Sequence, residues 1–289
     1  MLQVILALAL GQIPQGRPPR IGSPEIDWAS PQSAGLAYCV PLFAGVQPLG
    51  TELIGRFNAR ASAVNSAPVV VSTQRGPAVI FDGTDDRIDY PFQLNVADLP
   101  MTISAWIWLD SLRASPSSYI WNHSSAGGNL NDIFFVDNDE IAMLSEGTGA
   151  DQRRDSVAGV LTANRWYHVV GTNDGTTAAT GMHLYVDGVE VASYSTSING
   201  TADSGSNALI NIGGRGVDNA RNINAQILDV CLWTREMTPG EVRALYDSDR
   251  SGRWERYQQQ PRVAWKAPAP PPPGGIAPLM LHHRRMRQQ

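Results

Sequence analysis

Lysine is almost missing from this chain: Lys266 stands alone, and arginine supplies the other 21 of its 22 cations. We read that bias as genome composition rather than function. Cysteine is nearly as scarce. Cys39 and Cys231 are too few and too far apart for a four-ligand zinc site, and they leave the redox compartment open. No apolar run reaches the length of a membrane-spanning helix, about 18 residues. The run Val4–Leu10 (VILALAL) has no Lys or Arg before it, so it reads as a weak signal segment or as part of an extended lead-in. Charged residues make up only 17% of the chain, which suits a β-rich protein better than a helical one. The signatures G-x-S-x-G and H-E-x-x-H are absent, and with them the common nucleophile and zinc-hydrolase layouts.

What is present points to strands and turns. Glycine (27) and proline (20) are plentiful, and 43% hydrophobic residues allow a sizeable core. The net charge of −5 is unevenly placed: residues 251–289 hold six arginines and Lys266 against Glu255 alone. The remainder is therefore strongly acidic, and an acidic body does not attract nucleic acid. The tail reads as a solvated terminus, extended until docked, with a polyproline-like stretch Ala267–Gly275.

From Gly35 onward the pattern is β. Strands are expected over Gly35–Phe43, Val69–Val71, Ala78–Phe81, Arg87–Tyr90, Ile133–Val136, Glu140–Leu144, Trp166–Gly171, Leu209–Ile212 and Ile227–Trp233. In Met101–Leu109 (MTISAWIWL), Met101, Ile103, Ala105, Ile107 and Leu109 share one face. Thr102, Ser104, Trp106 and Trp108 share the other. Asp187-Gly188 between Met182–Val186 and Val189–Tyr194 is a type I′ hairpin signal. One helix is expected, from the capping box Thr238-Pro239-Gly240-Glu241, with Val242, Leu245 and Tyr246 as its apolar stripe. Many short strands with turns between them predict an all-β fold.

Six segments carry a family likeness, in order, over residues 80–246: Ile80–Ile88 (IFDGTDDRI), Thr102–Ile107 (TISAWI), Trp166–Val170 (WYHVV), Leu184–Gly188 (LYVDG), Ile210–Arg215 (INIGGR) and Ile227–Val230 with Thr234-Arg235. The chain thereby resembles laminin-G-like domains of the concanavalin-A-like lectin/glucanase superfamily. The lead-in Ile26–Pro31 is similar to that of phage and bacterial surface members. The likeness implies a two-sheet antiparallel jelly-roll sandwich with one short C-terminal helix and extended terminal arms. We place a lead-in at 1–23, the sandwich at 24–248 and a basic Pro-rich tail at 249–289. Strands Gly35–Phe43 and Ile227–Trp233 are expected to meet, as in related folds. Cys39 and Cys231 should then be close but unbonded, because Cys231 takes the face opposite Val230 and Leu232.

The function expected is a non-catalytic module that recognises a glycan or protein on an extracellular or virion surface. The alternative is structural decoration of a virus-like particle, with assembly contacts through 1–23 and 249–289. A glycoside hydrolase is disfavoured, because the E-x-D-x-x-E strand of related glucanases is absent and no other carboxylate pair stands out. No catalytic residue is assigned. Trp106, Trp108 and Trp121 are candidate rings for sugar stacking, or else covered rings. Asp82, Asp85 and Asp229 are candidate Ca2+ ligands, following the family's habit of drawing acids from early and late in the fold. Asp82 alternatively only stabilises its turn. Asn122-His123-Ser124 and Asn199-Gly200-Thr201 match glycosylation sequons.

Overall fold

In a computed structural model of the chain, the described residues are 25–42, 60–61, 68–73, 75–90, 100–113, 117–125, 130–145, 151–176, 178–191, 194–198, 208–216 and 221–257. The signal-like run, the polyproline stretch, the sequon at Asn199 and most of both arms lie outside them. The strands are β1 Leu36–Val40, β2 Arg60–Ala61, β3 Val69–Thr73, β4 Gly76–Asp82, β5 Ile88–Tyr90, β6 Met101–Leu109, β7 Ser118–Ser125 and β8 Leu130–Asp137. They continue as β9 Glu140–Ser145, β10 Gln152–Ser156, β11 Trp166–Asn173, β12 Met182–Val186, β13 Val189–Glu190, β14 Tyr194–Ile198, β15 Ala208–Ile212 and β16 Asn224–Trp233. Helix α1 spans Pro239–Arg250. No helix among the described residues is long and apolar enough to cross a membrane.

Two antiparallel sheets result. The first runs β13-β12-β11-β6-β16-β4-β3 with β1 also on β16; the second runs β14-β10-β9-β8-β7-β15-β5-β2. The alternation in β6 is the one expected. Met101, Ile103, Ala105, Ile107 and Leu109 enter the core between the sheets, where Trp121, Phe134, Val136, Met143 and Ile210 meet them. The 187–188 turn has positive φ at both residues, 52° and 74°, as type I′ requires. Its return strand is shorter than expected. β13 ends at Glu190, and Tyr194 begins a strand that pairs with β10 in the opposite sheet. Strands β7 and β10 were not expected, because SYIWNHSS and QRRDS carry too little apolar alternation.

The terminal strands do meet: β1 pairs with β16, with Cys39 opposite Cys231 at a Cα separation of 4.1 Å. The two cysteines form a disulfide, which corrects the expectation of free thiols. Tyr38 and Val40 face the inner core, so Cys39 points outward with Cys231. Their common side is not polar. It is a second apolar layer holding Trp106, Trp166, Tyr185, Leu228 and Trp233 under α1.

That layer also corrects the domain boundary. The folded unit does not stop at Ser248, because Asp249, Trp254, Arg256 and Tyr257 are all at most 1% exposed. Residues 249–257 (DRSGRWERY) lie across the outer face of the first sheet. Ile26 bridges Tyr257, and the Asp27 N–H donates to the Arg256 carbonyl at 2.9 Å. Helix α1 itself starts as expected. The Thr238 hydroxyl accepts from the Glu241 N–H, and the Glu241 carboxylate accepts from the Thr238 N–H at 2.8 Å.

Candidate functional site: a polar rim cleft

At one end of the sandwich the turn after β4 carries three acids. Asp82 Oδ1 accepts from the N–H groups of Thr84 (2.7 Å) and Asp85 (3.3 Å), an Asx turn. Asp86 Oδ2 accepts from the Asp82 N–H at 3.0 Å. Asn222 Nδ2 donates to the Thr84 carbonyl at 2.6 Å and ties the turn to the chain entering β16. Gly83 is required there. Its φ is +79°, and a Cβ would lie 2.9 Å from the Asn224 Cβ.

Beside the turn opens a cleft of about 210 Å³. Asp82, Ser111, Arg113, Ser118, Asn222 and Asn224 supply its polar groups, and Leu109, Leu112, Val136 and Ile223 its apolar ones. Asn224 Nδ2 donates to Ser111 Oγ at 3.1 Å, and Arg113 donates to the Asn222 carbonyl at 3.4 Å. The lining is thus cross-braced between the segment after β6 and the chain entering β16. Sequence reasoning found Asp82 but missed Ser111, Arg113, Asn222 and Asn224, which sit in loop or strand-end positions without a motif.

The calcium candidates do not assemble as expected. Asp82, Asp85 and Asp86 each offer an oxygen within 4.8 Å of the others. Asp229 lies instead in the outer layer, in a bulge of β16 with φ 61°. There it pairs with the Arg256 guanidinium and accepts from the Tyr257 hydroxyl. Arg256 also reaches Asp249 through two nitrogens at 2.6 and 2.9 Å. Trp106 Nε1 donates to the same carboxylate at 3.1 Å. The Arg75 guanidinium lies 3.3 Å above the Trp106 ring, and burial lowers it to about 10. Burial pushes Asp249 up, and the indole N–H and the Arg75 charge pull it back. Burial, then the charges of Arg256 and Arg75, hold His168 well below its usual value, so it is a neutral packing residue. Every charge in this box is inaccessible, so it anchors the 249–257 segment rather than a ligand.

The aromatic candidates need the same correction. Trp106 is 1% exposed, stacked on Tyr246 of α1 at 5.8 Å. Trp121 is in β7, and the register shift before it turns its ring into the inner core. Trp108 alone stays partly exposed, edge-on to Trp166 at 6.0 Å. Asn122 is fully buried and donates to the Gly214 carbonyl, so its sequon is closed.

The family model described as the concanavalin A-like lectin/glucanases superfamily, of laminin-G type, matches residues 82–243, more than half of the chain. The chain belongs to this superfamily. Among curated proteins, none matches this lectin-like chain by sequence. Solved structures share its fold. The binding domain of Paraclostridial Mosquitocidal Protein 1 is 13% identical with a TM-score of 0.59, over 75% of this chain and 53% of that one. Domain 4 of AbnA, an extracellular arabinanase from Geobacillus stearothermophilus, in complex with arabinotriose, is 15% identical at 0.52, over 73% and 98%. Trypanosoma rangeli sialidase in complex with sialic acid is 18% identical at 0.53, over 86% and 39%. The lectin-like chain therefore spans about half of the toxin structure and less of the sialidase.

Proposed function

We propose that the chain is a non-catalytic carbohydrate-binding module that acts outside the cell, and that the rim cleft takes the sugar. The cleft's composition carries this reading. A sugar ring presents hydroxyls and C–H faces together, and the lining offers Asp82 as acceptor, Ser111 and Arg113 as donors, and Leu109, Leu112 and Ile223 as apolar wall. Trp108, one residue before Leu109, adds a partly exposed ring at the margin. The superfamily membership and the binding-domain and arabinotriose-bound neighbours support it.

Catalysis is not part of the reading. Glycoside hydrolysis uses two carboxylates flanking the bond, and Asp82 is the one acid among the described residues lining the cleft. The oxygens of Asp82, Asp85 and Asp86 suit a hard cation, and we assign Ca2+ to them as the ion that would fix the turn.

The test is a glycan array with the full-length chain. Binding to a sugar class that falls at least about tenfold in Arg113→Ala and Asn224→Ala, with folding intact, supports the reading. Silence across a broad array, with capture of a structural protein of a particle instead, would favour the assembly role. Release of reducing sugar dependent on Asp82 would make the chain an enzyme. Calcium is tested separately, by a rise in Tm with added Ca2+ that Asp86→Asn removes.

A further inference from the structure

We propose that the chain pairs with a second copy of itself through the outer edge of β3, joining the first sheets of two molecules. A sheet edge presents unpaired N–H and C=O groups, and stable monomers blunt their edges by shortness, charge or bulges. Among the described residues five strands have a single neighbour, and four of them follow that rule, β1 with a register shift between Leu36 and Tyr38. Strands β13 and β2 have two residues each. Strand β14 meets its neighbour with a register shift between Arg154 and Ser156. Strand β3 departs from it. It has five residues (VVVST) without charge or proline, in unbroken register with β4. Val69 is 57% and Val70 44% exposed, two of the few large apolar side chains left in water.

The occupant follows from self-complementarity. An antiparallel two-fold through Val71 sets Val71 opposite the same residue of the second copy, Val70 opposite Ser72 and Val69 opposite Thr73. Every pair is then compact and uncharged, and four of the five residues are β-branched. An acidic chain repels its copies elsewhere, so an uncharged strip is where two copies can approach. Five paired residues span only about 16 Å, so the contact is small and the dimer weak, with a Kd on the order of 100 µM.

Sedimentation of the full-length chain tests this. The weight-average mass should rise from one chain toward two between roughly 10 µM and 1 mM. Val70→Lys puts a charge on the edge and should hold the chain monomeric throughout, while Val189→Lys on the opposite edge should leave association unchanged. A wild-type chain monomeric at 1 mM, or a V70K chain that associates as strongly as wild type, overturns the proposal. Amide exchange on the unmodified chain covers the case in which V70K fails to fold. Protection of Val69–Ser72 should grow with concentration, and protection that does not change with concentration overturns the inference equally.

Discussion

The outer face of the first sheet and the rim cleft use the same kinds of side chain to opposite ends. Each draws on aspartate, arginine and hydroxyl groups. On the outer face Asp229, Asp249 and Arg256 are at most 1% exposed and satisfy one another under Tyr257. In the cleft Asp82 is exposed, and Ser111 and Arg113 are braced from behind with their remaining groups turned to water. The difference lies in the cover. Residues 249–257 lie over the first region, and among the described residues nothing lies over the second. Charge pairs become structural where the chain excludes water, and available for binding where it does not.

Removing the cover should break the comparison most completely. A chain ending at Ser248 exposes the Trp106–Trp233 layer and strips Asp229 of its Arg256 partner, and should be insoluble or unfolded. A chain ending at Gln259 should keep the full-length Tm within about 2 °C. Circular dichroism on both separates a folded unit that ends at 248 from one that includes 249–257.

Arg256→Met removes one charge from the box and should cost about 3–5 kcal/mol, or about 10 °C in Tm, because Asp229 and Asp249 are left buried without that partner. Loss of less than about 1 kcal/mol in urea denaturation would show that the charges are not held dry. Trp106→Ala should destabilise by a similar amount through the cavity it leaves, with ligand affinity unchanged at temperatures where the variant is folded.

Asp132 sharpens the point from the other side. It is buried like Asp249, but it has the Ser145 hydroxyl as donor and His123 as its cross-strand neighbour rather than a guanidinium. Burial raises it from 3.8 to about 6. The folded state therefore holds this proton more tightly than the unfolded chain does. The resulting stability, about 3 kcal/mol, is complete below about pH 4 and is lost as pH rises through 6. Denaturation midpoints at pH 4.5 and 7.5 should differ in that direction, and Asp132→Asn should flatten this part of the difference. The smallest stability effects belong to the cleft. Arg113→Ala and Asn224→Ala should change unfolding free energy by no more than about 0.5–1 kcal/mol while weakening sugar binding.

The contrast also shows which residues were legible in advance. Asp82 was found because a turn between two strands is a local event, written in Asp-Gly-Thr-Asp. The cleft's other walls come from β6, β7 and β16, brought together only by sheet order. The box was invisible for a related reason. Arg256 sits in a stretch with arginines at 250, 253 and 256, which reads as a solvated tail until Asp229 and Asp249 are seen on either side of it. Trp106 and Trp108 were placed on the correct face, opposite the inner core. The alternation could not say that α1 and residues 249–257 would cover Trp106 and leave Trp108 at the margin.

By itself the sequence determined the two-sheet sandwich, the inward face of β6, the Asp187-Gly188 turn, the capped C-terminal helix and the meeting of the first and last strands. These are set by residue periodicity, by turns that need positive φ and by an ordered set of family segments, all of them local in the chain. Only the tertiary structure decided that the outer face is a second core, that its acids are sealed while Asp82 in the cleft is open, and that Cys39 and Cys231 are joined. Each of those depends on which distant segment excludes water from which face, and burial of that kind has no local pattern in the chain.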